Sequence, residues 1–206
     1  VDVGATVVSY RPDAGEDGYV MALVSPAARQ AAAIEPKDIV FVIDQSGSMG
    51  GQKIAQVREA LVWVLQNLNS EDRFNVVPFS SSVHAMFTDP LVAADAEHTA
   101  RAAELVRQLQ AGGGTNIAGA LREALSRLPR ESKRPAYVVF MTDGLPTAGE
   151  TTETDKLVKL STEANAAGAR LMALGVGYDV NTRLLDLLSQ THRGLSEYVK
   201  PNESLE

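Results

Sequence analysis

The amino-acid sequence predicts an α/β fold: a doubly wound, mostly parallel six-stranded sheet with helices on both faces, preceded by a short N-terminal extension. Three observations carry this. The run Ile39-Val40-Phe41-Val42-Ile43 is apolar at every position and mostly β-branched, which suits a central strand covered on both faces. From Asp38 onward, strand-like runs alternate with segments of helical period, and right-handed crossovers turn that alternation into a parallel sheet. Oxygen-bearing residues gather where strands end, as Asp44-Gln45-Ser46-Gly47-Ser48 after one and Thr142-Asp143-Gly144 after another. In open α/β sheets, ligands sit beyond the carboxyl ends of the strands.

Composition narrows the function classes. With 206 residues, of which 45% are hydrophobic and 22% charged, the chain suffices for one α/β domain with a large core. A net charge of -7 without any Lys/Arg cluster argues against nucleic acid or an anionic membrane as partner and suits a cation better. The absence of Cys removes disulfides, thiolate metal sites and Cys nucleophiles together. No apolar run approaches the roughly 18 residues of a membrane span, and the N-terminus lacks a basic segment followed by an apolar one.

Taken in order, residues 1–10 alternate weakly and 11–18 form a polar turn. Residues 19–25 then read as one strand, and 26–36 as an Ala-rich linker. After the strand at 39–43, residues 51–68 predict a helix, with Ile54, Val57, Leu61, Val64, Leu65 and Leu68 on one face. Trp63 lies off that face and is expected to pack against a neighbouring helix. Residues 73–80 read as a second strand near the sheet edge, where Pro78 is tolerated, with 81–87 as its short hairpin partner. Residues 93–110 predict a helix that stops at Gly112-Gly113-Gly114, and Thr115 follows in the loop that feeds a helix from Ile117 to Leu128. Strands are expected at 136–142, 170–176 and 196–199, and helices at 155–167 and 181–190.

The spacing Asp44-x-Ser46-x-Ser48, with Gly113-Gly114-Thr115 opening a later helix and Thr142-Asp143-Gly144 closing a later strand, resembles the metal-ion-dependent adhesion site (MIDAS) of the von Willebrand factor type A (VWA) family. The resemblance covers nearly the whole of residues 37–200. Within the family, Gly18 to Pro26, Pro36-Lys37-Asp38 and Asp72 to Ser80 look like the inter-alpha-trypsin inhibitor heavy-chain branch, whose bacterial and animal members tend to be secreted or surface-attached. In that branch a β-rich module precedes the VWA domain, so residues 1–36 are expected to be the tail of such a module and 37–206 the VWA domain. The family ordinarily ends in a C-terminal helix packed on the sheet. Residues 201–206 would form at most its first turn, so the helix is expected to be missing through truncation, with an apolar groove left on one sheet face.

The resemblance implies a metal site made of Asp44, Ser46, Ser48, Thr115 and Asp143, the hydroxyls binding directly and the aspartates largely through water. Oxygen donors suit Mg²⁺, with Mn²⁺ or Ca²⁺ as alternatives. Taken singly, each stretch has an ordinary explanation: a Ser/Gly turn caps a helix, Asp-Gly makes a turn and Gly-Gly-Gly-Thr makes a loop. Their convergence at one sheet edge favours the metal. His84, His98 and His192 have no mutual spacing of a metal or catalytic set and are expected at the surface or an edge. Glu150, Glu153 and Asp155 read as a solvated face and first-turn helix charges.

The leading functional expectation is a non-enzymatic, extracellular or cell-surface adhesion module that holds a carboxylate of a protein or matrix partner through the cation. One alternative is an intracellular adaptor that docks a substrate onto an ATPase or chelatase. Another is a metal-dependent hydrolase with Asp44 as nucleophile. Against hydrolysis, the sequence has no Gly-x-Ser-x-Gly elbow around Ser46 or Ser48 and no P-loop, and no His or Lys is expected near the motif as base.

Overall fold

Strand β3 (Asp38–Asp44) is buried along its entire length and lies at the centre of a six-stranded sheet of order β5-β4-β3-β6-β7-β8. Around it run β4 (Arg73–Phe79), β5 (Val92–Ala93), β6 (Ala136–Thr142), β7 (Arg170–Val176) and β8 (Ser196–Val199). The computed structural model describes residues 3–13, 15, 17–26 and 35–200. β3 pairs in parallel with β4 on one side and β6 on the other, and β6, β7 and β8 continue in parallel. Only β5 runs antiparallel, against β4. Because the chain leaves β3 toward β4 and later returns to β6 on its other side, the crevice beyond the ends of β3 and β6 is a topological switch point.

The alternation of side chains along the strands divides the core into two layers. Val40, Val42, Val138, Phe140 and Leu171 face helices α3 (Ile117–Ser126), α4 (Thr154–Ala164) and α5 (Thr182–Thr191). Ile39, Phe41, Ile43, Phe74 and Val76 face α1 (Gln52–Gln66) and α2 (Ala96–Arg107). A sheet covered on both sides needs strands without a polar face, which accounts for the unbroken apolar runs. The second layer is thinner over β6 and β7, where Tyr137, Val139, Met172 and Leu174 are only partly buried. The expected loss of a C-terminal helix concerns residues 201–206, outside the described residues.

Several local expectations change. Helix α2 begins at Ala96 and not near 93, because Ala93 belongs to β5 and the Asp95 carboxylate caps the helix by accepting from His98 N at 2.8 Å. The 81–87 hairpin strand reduces to a single bridge, Phe79 with Val83, and the two-residue β5 supplies the edge pairing. β5 reaches only Arg73 and Phe74, and Pro78 lies on the outer side of β4, where its carbonyl accepts from His84 N at 3.4 Å. Trp63, expected to pack against a neighbouring helix, is 57% exposed. His192 is buried, contrary to its expected surface position. Asn165 Nδ2 donates to its Nδ1 at 2.9 Å, so the proton sits on Nε2 and is directed at Ser161 Oγ, 2.8 Å away.

Contacts divide the chain into two units, Val1–Ile34 and Glu35–Glu206. The first contains two strands where the sequence predicted one: β1 (Val3–Tyr10) and β2 (Tyr19–Pro26) form an antiparallel hairpin with Tyr10 opposite Tyr19. The weak alternation of β1 hid it. Two strands alone make no interior, and Val7, Val8, Val20 and Val24 are all exposed.

Candidate metal-binding site

Asp44 is the last residue of β3 and Asp143 follows the last residue of β6. Parallel register places Ile43 opposite Met141, so both acids emerge at the same edge. Asp44 is fully buried. Its Oδ1 accepts from Ser46 N at 2.8 Å and its Oδ2 from Thr142 Oγ1 at 2.5 Å. Burial pushes the Asp44 carboxyl up from its ordinary value, the bonds from Thr142 and Ser46 pull it back, and repulsion from Asp143 adds to the rise.

After Asp44 the chain makes one turn of 3₁₀ helix, Gly47–Met49, with buried Met49 anchoring it in the core. Gly51, at φ 77, then redirects the backbone into α1. This turn aligns the two serines: Ser46 Oγ lies 3.1 Å from Ser48 Oγ, and Ser48 Oγ donates to Asp143 Oδ1 at 3.0 Å. The glycine run joins from the side. Gly112 N donates to Gln45 O at 2.7 Å and Gly47 N to Gly113 O at 3.0 Å. Thr115 N donates to Thr147 Oγ1 at 2.9 Å, and Thr115 O accepts from Thr147 N at 3.1 Å. The Thr115 residue is 3% exposed, and among the described residues its hydroxyl makes no hydrogen bond.

The structure thus links Asp44, Ser46, Ser48 and Asp143 through hydrogen bonds and laces the Thr115 loop against theirs. Among the described residues no three His, Cys, Asp or Glu side chains form a metal cluster; the site has two carboxylates and three hydroxyls. His84, His98 and His192 stay outside it, His98 pairing with Asp95 at 2.8 Å. Glu150 pairs with Arg122 and Glu153 with Lys156, both at 2.6 Å, as a solvated face would.

Two residues were missed in the sequence. Thr142 holds Asp44, and Lys53, the second residue of α1, places Nζ 2.9 Å from Asp143 Oδ2. Lys53 did carry a signal: an ammonium in the first turn of a helix opposes the macrodipole, so something else must hold it there.

Comparison with known proteins agrees with this architecture. Residues 37–198 match the family model described as von Willebrand factor type A domain. The chain is 38% identical over 191 residues to inter-alpha-trypsin inhibitor heavy chain H4 of Sus scrofa, covering 89% of this chain and 20% of that protein, so it spans about a fifth of the relative's length. The solved von Willebrand factor type A protein from Catenulispora acidiphila superposes with a TM-score of 0.70 at 19% identity, over 97% of this chain and 46% of that one. Proximal thread matrix protein 1 from the mussel byssus, described with a zinc-occupied MIDAS motif, gives a TM-score of 0.63 at 19% identity over 82% of this chain and 43% of its own. At such identities the two structures speak to the fold.

Proposed function

The chain belongs to the von Willebrand factor type A family, and from that premise we propose that it is a non-enzymatic binding module holding an acidic group of a protein or matrix partner through a divalent cation. Asp44, Ser46, Ser48, Thr115 and Asp143 would hold the ion, Mg²⁺ first among Mg²⁺, Mn²⁺ and Ca²⁺. The carrying observation is that two largely buried carboxylates and two serine hydroxyls are joined by hydrogen bonds at the switch point of the sheet, with the loop that leads to Thr115 bonded to theirs. The donor set fits a hard cation: all oxygen, with a buried carboxylate that burial alone disfavours as an anion.

When bound, the cation supplies a Lewis-acidic position that an external carboxylate completes. The protein's part is orientation. Thr142 fixes Asp44, the 3₁₀ turn aligns Ser46 and Ser48, and Thr147 fixes the loop that carries Thr115. Neutral hydroxyls donate without neutralising the ion, which leaves it attractive to a partner's acid. Leu145 and Tyr178, 56% and 69% exposed, stand on the loops that follow β6 and β7 and offer apolar contact to a protein ligand. We place the module outside the cell or at its surface and read residues 1–36 as the tail of a preceding β-rich module, on the heavy-chain similarity.

Thermal unfolding in EDTA against Mg²⁺, Mn²⁺ and Ca²⁺ tests the proposal. A cation bound only by the native state adds RT ln(1 + [L]/Kd), about 2.7 kcal/mol at a hundredfold excess over Kd. The expected result is a cation-dependent rise that Asp143→Ala abolishes. No rise with any of the three ions overturns it.

A further inference from the structure

We propose that Lys53 is a built-in counter-cation of the site, one that weakens its hold on the divalent ion and makes the loaded site select an anion. The inference rests on the metal-site reading above and adds a residue and a direction of selectivity to it.

The geometry is specific. Lys53 Nζ lies 2.9 Å from Asp143 Oδ2, with side-chain exposures of 21% and 6%. Asp143 therefore has both oxygens engaged, Oδ1 by the Ser48 hydroxyl and Oδ2 by the ammonium. The lysine gains nothing from its own helix, because the N-terminus of α1 carries partial positive charge. Its route is prepared by Gly177, the residue after β7. A Cβ there would lie 2.8 Å from Lys53 Cε and 3.1 Å from Nζ, and Gly177 sits at φ 122, where a side chain is strained in any case. The glycine leaves a passage, and the lysine stem fills it.

Charge counting gives the consequence. Asp44 and Asp143 against Lys53 leave one negative charge. A divalent ion converts that to one positive charge, and one carboxylate from a partner brings the site to neutrality. Without Lys53 the two aspartates alone would balance the ion, and an arriving carboxylate would leave a partly buried site with an unpaired negative charge. Lys53 also engages one of the two Asp143 oxygens, so any hold that Asp143 would have on an ion, direct or through water, would compete with that ammonium. It therefore lowers affinity for the cation and raises affinity of the loaded site for an acid.

Lys53→Met keeps the stem over Gly177 and removes the charge; Lys53→Arg keeps the charge. Calorimetry with Mn²⁺ alone, followed by acetate titrated into the Mn²⁺-loaded chain and read by water-proton relaxation, separates the two effects. Lys53→Met is expected to bind Mn²⁺ about tenfold or more tightly, the scale of one lost charged hydrogen bond, and acetate correspondingly more weakly. Lys53→Arg should stay nearer wild type in both, whereas a purely structural lysine would weaken both in the Met variant. Equal or weaker Mn²⁺ binding by Lys53→Met overturns the proposal while the metal site stands. Unchanged acetate binding overturns its anion-selecting half. Mn²⁺ bound by neither wild type nor variant overturns the metal-site reading, and this inference with it.

Discussion

Strand β3 begins and ends in a buried aspartate, and the two ends are treated in opposite ways. Asp38, at the entry, is fully enclosed and held by the Arg73 fork, Nε to Oδ1 at 2.8 Å and Nη2 to Oδ2 at 2.7 Å, with Ser132 Oγ adding a third bond at 3.0 Å. The pairing in turn raises the Arg73 guanidinium above its ordinary value. Asp44, at the exit, has hydroxyl and amide partners, and the nearest ammonium is spent on its neighbour Asp143. One end is a closed ion pair with planar, bidentate geometry. The other is short of positive charge and rich in oxygen. Two aspartates equally buried on one strand thus differ in their partners alone, a guanidinium fork at one end and neutral donors at the other.

Substitutions can break this contrast from either side. The largest effect is expected for Arg73→Met, which leaves Asp38 buried and uncompensated. Chemical denaturation should show about 3 kcal/mol less stability, with Mn²⁺ affinity unchanged; a loss of metal binding instead would erase the distinction. Asp143→Ala is the mirror case. In EDTA its stability should move by about 1 kcal/mol or less, since Lys53 is freed toward water, although the metal-dependent stabilisation disappears.

A buried group kept neutral sharpens the comparison further. Burial lowers the His192 pKa from its ordinary 6.5, so the unfolded chain takes up its proton first. The stabilising contribution of neutral His192 is full above about 6.5 and drains away as pH falls from there toward the folded value. Unfolding followed from pH 7.5 to 5.5 should therefore show falling stability, and His192→Gln should flatten that slope. The smallest effect is expected for Glu150→Gln. Its pair with Arg122 is more than half exposed on both sides, and a change above about 0.5 kcal/mol in urea unfolding would mean the loop after β6 is tied down more firmly than a surface pair allows.

The parts of the molecule legible in the sequence are those governed by local pattern. The unbroken run at 39–43 announced the central strand, and the stretches after it and after β6 read as loops at strand ends, where hydrogen bonds join Asp44, Ser46, Ser48 and Asp143. What stayed hidden depends on partners distant in sequence. Helix α2 starts late because Ala93 is taken by a strand pairing with Arg73. His192 reads as a surface residue until α4 supplies Ser161 and, just past its end, Asn165. Lys53 stands out only as a cation in the first turn of a helix, and its partner is hidden until the end of β6 brings Asp143 beside it.

The assembly of the site from segments far apart in the chain has a kinetic side. The Thr142–Asp44 bond closes a separation of 98 residues and the Ser48–Asp143 bond one of 95, so neither exists until β3 and β6 are in register. Non-local pairing of this kind forms late and slowly. A cation that recognises only the finished edge can do little to speed the search for it. Its stabilisation falls on the return path, slowing escape from the native state. For a module that holds a partner, occupancy would then lengthen the lifetime of the fold that does the holding.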